Sequence, residues 1–313
     1  VYKRQVYLWF ESLKLLLWPH PLQIYYDSQR EHLWLAAGAQ IVLLGFAAWR
    51  YLWHQKIGLL CGLAFFYLAI LPSSRIISDT TGSADLADRL LYVPSAGLSI
   101  ALAFGLVAVL ARRQSRLVAG AVIGAACLVM TSLTWARNAD WSNEVRLFET
   151  DYARMEKPGK ILYTLVGAHL AAGDVQRAST LCRTHANASR VRPPLALRCA
   201  DAFSRSGKYK EAEKLYQRVG KRGSKAKEAA WARFSLAILY AQQDRRAEAQ
   251  EQFEFAIATE NLEFMRHFMK AGRLLTLYPH DPERVAEAKA HLEASLALQP
   301  RYLSARRTLE QLP

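Results

Sequence analysis

The chain has 313 residues, of which 52% are hydrophobic and 22% charged, with four Cys and a formal net charge of +14. At ~100–200 residues per domain this length points to about two domains. The charge is unevenly spread: residues 33–135 are almost wholly apolar and 136–313 hold most of the charge, which excludes a single soluble domain and a disordered chain.

The first residues, VYKRQ, lack the apolar core and small-residue cleavage site of a signal peptide, so the chain reads as a fragment whose start is missing. Residues 1–32 form a first segment. Leu13, Leu16 and Leu17 alternate with Glu11, Ser12 and Lys14, and the pattern stops at Pro19 and Pro21. That predicts an amphipathic helix at a membrane interface followed by a proline-broken turn. The alternative is the tail of a spanning helix.

Residues 33–136 read as a membrane domain with four apolar runs: Leu33–Trp53, Ile57–Leu71, Leu90–Ala111 and Leu117–Ala136. A span needs ~20 apolar residues, so the second run is short. Trp34, Trp49, Tyr51, Trp53 and Trp135 sit at run ends, where amphipathic rings favour the headgroup level. Arg50, His54 and Lys56 separate the first two runs, and Arg112, Arg113 and Arg116 the last two. Both loops are basic and lack acids, which predicts a cytoplasmic location for them. The loop with Arg75, Asp79, Asp85, Asp88 and Arg89 then lies on the far side, and four crossings place residues 137–313 outside the cytoplasm. Part of the positive charge is this topology signal. The rest is dispersed among acids, without the aromatic interleaving of a single-strand binder, so the expected partner is membrane lipid and not nucleic acid.

Residues 137–159 form a connector, and 160–313 read as tetratricopeptide repeats with a capping helix. Turn signals at Gly173-Asp174, Gly207-Lys208 and Asp244-Arg245 are spaced by 34 and 37 residues, against a repeat period of about 34. Ala178, Ala212 and Ala249 follow each turn at the same offset, with Cys182, Tyr216 and Phe253 four further on. Ala200, Phe203, Gly207, Ala237 and Tyr240 complete the repeat core. Small residues let paired helices approach and aromatics fill the gap to the next pair, so the units must stack. The expected concave face suits a peptide or protein segment. Val166 and His169 break the pattern in the first unit.

Four segments carry a resemblance. Ala87–Leu98, ADRLLYVPSAGL, resembles an ERxLYLPSxG motif; Leu15–Asp27 resembles LLxPxPLSxDY; Leu63–Ile76 resembles the helix preceding the motif; Arg137-Asn138, Trp141 and Leu147-Phe148 resemble RNxxWxxxxxLF. Together, and in this order, they resemble the transmembrane and tetratricopeptide repeat-containing protein O-mannosyltransferases, of the GT-C superfamily. The resemblance implies an all-α protein that moves a sugar, typically mannose, from a polyprenyl- or dolichyl-phosphate carrier to protein Ser or Thr, with the repeats presenting the acceptor. It implies that the catalytic acid lies in an earlier loop, outside this fragment, which alone would be inactive. Asp88 replaces the usual Glu. A non-catalytic, membrane-anchored repeat scaffold for envelope or lumenal proteins is the alternative. Short loops favour a bacterial inner membrane over the endoplasmic reticulum.

Among polar residues, Asp88 and Arg89 are candidates for the carrier phosphate, because a guanidinium offers bidentate donors; the other reading is a loop-tethering ion pair. Arg75 can meet the phosphate from the opposite wall or be an ordinary interfacial Arg. Tyr92 and Ser95 shape the helix start or touch the ligand. Arg137, Asn138 and Trp141 read as the membrane–repeat junction. Cys182 and Cys199 fall at core positions of consecutive repeat helices; small buried thiols are the preferred reading over a disulfide. Cys61 and Cys127 lie in apolar runs. Asp79, Asp85 and Asp88 match no cation motif, the His residues have no metal-ligand spacing, and no GxGxxG, Walker loop or GxSxG occurs, so no cofactor or metal is expected beyond a lipid-phosphate sugar donor. Asn187-Ala188-Ser189 is a formal glycosylation sequon.

Overall fold

The computed structural model describes residues 2–20, 22–24, 33–54, 57–74, 88–110, 116–155, 159–185, 192–221 and 226–312. Every regular element among them is helical, and the chain divides into two compact units, 1–161 and 162–313.

The first unit holds α1 (Tyr2–Leu17), α2 (Leu33–His54), α3 (Gly58–Ile70), α4 (Tyr92–Leu110), α5 (Arg116–Asp140) and α6 (Glu144–Arg154). Only two of them, α2 and α5, are long and apolar enough among the described residues to cross a membrane, which corrects the expectation of four spans. The reason is local. At 1.5 Å per residue the 13 residues of α3 reach only about 20 Å. Past Ile70 the chain tightens into a 3-10 turn, Leu71–Ser74, around Pro72, which has no N–H to donate. The described apolar part of α4, Tyr92–Val107, is likewise below spanning length.

These two short helices are packed backbone to backbone. A Cβ on Gly62 would lie 2.5 Å from the Ala101 nitrogen, and one on Gly97 would lie 2.5 Å from the Phe66 nitrogen. Small residues permit this approach, as at contacts within lipid, where close packing replaces the hydrophobic drive. Ala47 of α2 joins Leu63 and Ala101 in one buried cluster. A second cluster packs Leu8 and Leu15 of α1 on Phe66, Ile70, Leu91 and Leu98. The Trp9 ring meets Tyr67 edge-on at 5.5 Å. Buried Gln40 ties α1 to α2, donating to the Val6 carbonyl at 2.9 Å and the Ala36 carbonyl at 3.0 Å. By contrast α5 is exposed along its apolar length, with Leu117 at 88% and Leu128 at 74%. Such a surface calls for lipid or a protein cover.

The second unit begins within α7 (Gly159–Ala171) and continues through α8 (Val175–His185), α9 (Pro193–Arg205), α10 (Tyr209–Lys221), α11 (Ala226–Gln242), α12 (Arg246–Thr259), α13 (Glu263–Leu277), α14 (Pro282–Leu298) and α15 (Leu303–Glu310). Three of the turns share one geometry. The left-handed residue is Gly173 (φ +81°), Gly207 (φ +76°) or Asp244 (φ +59°). In each, the next N–H reaches back to the last helical turn: Asp174 to His169, Lys208 to Phe203 and Arg245 to Tyr240, all at 2.9 Å. This is the capping arrangement that satisfies orphan helix carbonyls. The turn before α14 differs. There the Asp281 carboxylate accepts from the Glu283 and Arg284 N–H groups and caps α14.

The expected small residues Ala178, Ala200, Ala212, Ala237 and Ala249 are all fully buried, beside Phe253 at 0%, Tyr216 at 2% and Tyr240 at 4%. Gly207 departs from its assignment to the core: it is exposed, and its role is the positive φ of the turn. Rings run through the array, with Phe234 against Phe253 at 5.4 Å and Phe268 against Tyr302 at 5.3 Å. Gly272 leaves room for Phe234, whose Cζ would stand 2.5 Å from any Cβ there.

The two Cys of this unit form a disulfide, Cys182–Cys199, joining α8 to α9. This corrects the preferred reading of separate thiols. Their Cα atoms stand 5.4 Å apart, inside the normal range for a bridge. Sequence position alone could not disclose that separation. Cys61 and Cys127 are free.

Candidate functional site

The most developed polar site of the first unit lies where α5 ends. Arg137 follows an apolar stretch and cannot reach water there: it is 7% exposed. Its guanidinium is held by two acids. Nη1 stands 2.9 Å from Asp151 Oδ1, Nη2 donates to Asp151 Oδ2 at 3.2 Å, and Nη1 donates to Asp140 Oδ2 at 3.4 Å. Asp151, on α6, is fully buried and also accepts the Ile24 N–H at 2.7 Å. Arg154 donates to the Leu22 carbonyl at 3.3 Å, and Arg146 pairs with Asp140 at 3.5 Å. One charge cluster thus joins the end of α5, the middle of α6 and the segment that follows Pro19.

A buried ion pair of this kind is weak evidence for net stability but strong evidence for fixed geometry, because losing either partner strands a charge. Local sequence prepares it. Asn143 accepts from the Val145 N–H at 2.8 Å and caps α6, which aims Asp151 back at α5. Asn138 and Trp141 do not enter the cluster: Asn138 is exposed and Trp141 is 60% exposed. Asp140 and Asp151 are the functional positions that sequence reasoning missed. Arg137 at the end of an apolar run was the available signal, since a cation there needs a nearby acid.

Of the carrier-phosphate candidates, Tyr92 and Ser95 are the ones whose side chains fall within the described residues. Asp88 and Arg89 open α4 in a 3-10 turn, Asp88–Leu91. Their side chains, Arg75 and the acids Asp79 and Asp85 lie outside the described residues, as does the sequon at 187–189. Tyr92 is 79% exposed, and the Ser95 hydroxyl is used locally, donating to the Tyr92 carbonyl at 2.6 Å. An apolar groove of about 470 Å³ lies between α1, α2 and α3, lined by Trp9, Ile41, Leu44, Tyr67 and Leu68, with Gln40 among them.

In the second unit the polar groups stitch neighbouring helices. Arg198 stacks on the Tyr163 ring at 4.7 Å and donates to its hydroxyl at 2.8 Å. The Tyr216 hydroxyl donates to Asp201 at 2.5 Å. Burial pushes the Asp201 carboxyl above its ordinary range, against the Tyr216 hydrogen bond and the attraction of Arg198 and Arg205. Arg245 lies over Tyr240 at 3.9 Å and pairs with Glu213 at 3.4 Å. No group of three or more His, Cys, Asp or Glu among the described residues is placed to hold a metal ion.

No protein-family model and no solved structure matches the chain. Over 126 residues it is 27% identical to a human protein O-mannosyl-transferase, TMTC4, an alignment covering 40% of this chain and 17% of that protein. The chain therefore spans a small part of this relative's length. The similarity supports a distant relationship to that transferase.

Proposed function

We propose that this chain is the membrane-and-repeat portion of an integral-membrane glycosyltransferase that moves a sugar, mannose by resemblance, from a polyprenyl- or dolichyl-phosphate carrier to protein Ser or Thr. The single observation that carries this reading is the similarity to the human protein O-mannosyl-transferase. In this reading residues 1–32 and 33–136 form the membrane part, 137–159 the connector and 160–313 tetratricopeptide repeats that present the acceptor. Asp88 and Arg89, with Tyr92, Ser95 and Arg75, receive the carrier phosphate, and the apolar groove beside Tyr67 suits the lipid chain. The Arg137–Asp151 pair holds the exit of α5 in register. A disulfide between Cys182 and Cys199 favours repeats on the oxidising, extracytoplasmic side of the membrane.

The test is transfer by the full gene product in native membranes, from radiolabelled lipid-phosphate mannose to endogenous protein. Transfer that falls about tenfold or more on Arg89→Ala supports the reading, on the scale of one lost phosphate contact. A full-length protein that neither binds nor consumes the donor would leave the scaffold reading in its place.

A further inference from the structure

The second unit contains a cavity of about 620 Å³ walled by α8, α10 and the turn that precedes α10. Its volume falls within the ~300–1,000 Å³ of built ligand sites. Four cations line it: Arg183 from α8, Lys208 from the turn, and Lys214 and Arg218 from α10. Glu211 is the single acid on the wall. None of the four cations forms an ion pair within the described residues, although several other arginines of this unit do. Four cations facing one acid repel one another, and an anion bound among them would relieve that repulsion.

One of the cations is set in place. Lys208 donates to the Ser179 hydroxyl at 2.7 Å and lies 5.9 Å from the Phe203 ring, which fixes its ammonium at the cavity mouth. Ser179 is itself fully buried. Arg218 is half-buried, and its Nη2 is shielded from solvent without a hydrogen-bond partner among the described residues. The floor is apolar, formed by Phe203 and Leu215.

We infer that this cavity docks an acidic segment of a partner protein, with carboxylates on the Arg and Lys side chains and an apolar residue over Phe203 and Leu215. Arginine clusters read acidic motifs through charge-assisted, often bidentate hydrogen bonds. A peptide fits better than a bilayer surface: the charges line a hollow with an apolar floor, whereas a flat headgroup layer meets only protruding tips. The inference stands on the charge and shape of the cavity and is independent of the transferase reading.

The experiment uses the whole chain in detergent micelles, with two fluorescein-labelled peptides read by anisotropy. One alternates Glu and Leu; the other has Gln for every Glu. The Glu peptide binds, weakens as salt rises, and exceeds the Gln peptide by about tenfold or more. Arg183→Glu with Lys214→Glu, both exposed positions, lowers its affinity by about tenfold or more. Lys289→Glu with Arg307→Glu, the same charge change elsewhere on the unit, leaves it unchanged. If the reversed pair fails to fold, Arg183→Gln with Lys214→Gln serves, with a smaller loss expected. No binding of the Glu peptide at ~1 mM, equal binding of both peptides, or equal loss in pocket and control variants overturns the proposal. So does cavity-dependent binding of phosphatidylserine vesicles by a protein that ignores the peptide.

Discussion

At the scale of single residues, the buried charges and hydrogen bonds set the sharpest expectations. Arg137→Ala leaves Asp151, which is fully buried, with the Ile24 N–H as its one remaining partner among the described residues. Breaking a buried pair from one side costs about 3–5 kcal/mol, so the variant should melt well below the parent in detergent, and Arg137→Lys should recover part of the loss. Asn138→Ala, at an exposed position, should be near neutral in the same assay. Two groups of the second unit give opposite pH signatures. Asp201 has a carboxyl raised by burial, so the folded state holds its proton more tightly than the unfolded chain. Its contribution is therefore fullest below the ordinary carboxylate value of ~4 and is lost as pH rises through the raised one. Asp201→Asn should flatten that part of the melting profile. His291 is lowered, first by burial and then by His267 and by Lys270 and Arg273, with Glu287 opposing. Its ring Nδ1 faces His267 Nδ1 at 3.0 Å, a spacing that two protonated rings cannot share. The contribution of His291 is present above the ordinary His value of ~6.5 and is lost as pH falls through its lowered value. His291→Gln should reduce the acid loss measured by melting between neutral and mildly acidic pH.

At the scale of elements, glycine positions carry the argument. The α3–α4 contact depends on Gly62 and Gly97, where a Cβ would meet backbone at 2.5 Å. Gly62→Val must push the two helices apart, and overpacking of this kind costs about 1–3 kcal/mol. Lower thermal stability of the detergent-solubilised protein is the expected result; an unchanged melt would mean the helices are not in backbone contact. The turns of the second unit give a converse case. Gly207 holds a left-handed φ of +76° at no steric cost, while Asp244 occupies the equivalent place at φ +59° with a side chain. Gly207→Val should destabilise by on the order of 1–2 kcal/mol, and Asp244→Gly should stabilise slightly. The comparison of the two melts checks the shared turn geometry directly.

At the scale of the whole molecule, the disulfide bears on where the second unit resides. Cys182 and Cys199 are 17 residues apart, and closing a loop of that size is worth about 3 kcal/mol in the chain-entropy account. Reductant, or Cys182→Ser with Cys199→Ser, should lower the melting point of the second unit accordingly. In cells the bridge reports sidedness. If the repeats are extracytoplasmic, maleimide added to denatured, unreduced protein should label Cys61 and Cys127 alone. Labelling of all four Cys would place the second unit in a reducing compartment and remove the support for the extracytoplasmic reading.

Periodicity and composition by themselves determined the helical class, the change from an apolar to a charged half, and the turns at Gly173, Gly207 and Asp244 with their buried alanines. These are local signals: an αL turn and a small residue at fixed offset are written into a few neighbouring positions. Tertiary structure decided the rest. Apolar length alone could not show that α3 stops at Pro72 and pairs with α4, because run length counts residues that a short helix and its turn share. Nor could it show that Arg137 is answered by Asp140 and Asp151, or that Cys182 meets Cys199, since such partners are chosen by distance across helices. The cations around Phe203 are likewise dispersed along the chain from Arg183 to Arg218 and become one site only when α8 and α10 both pack on α9, because electrostatic repulsion and relief act through space and not along the sequence.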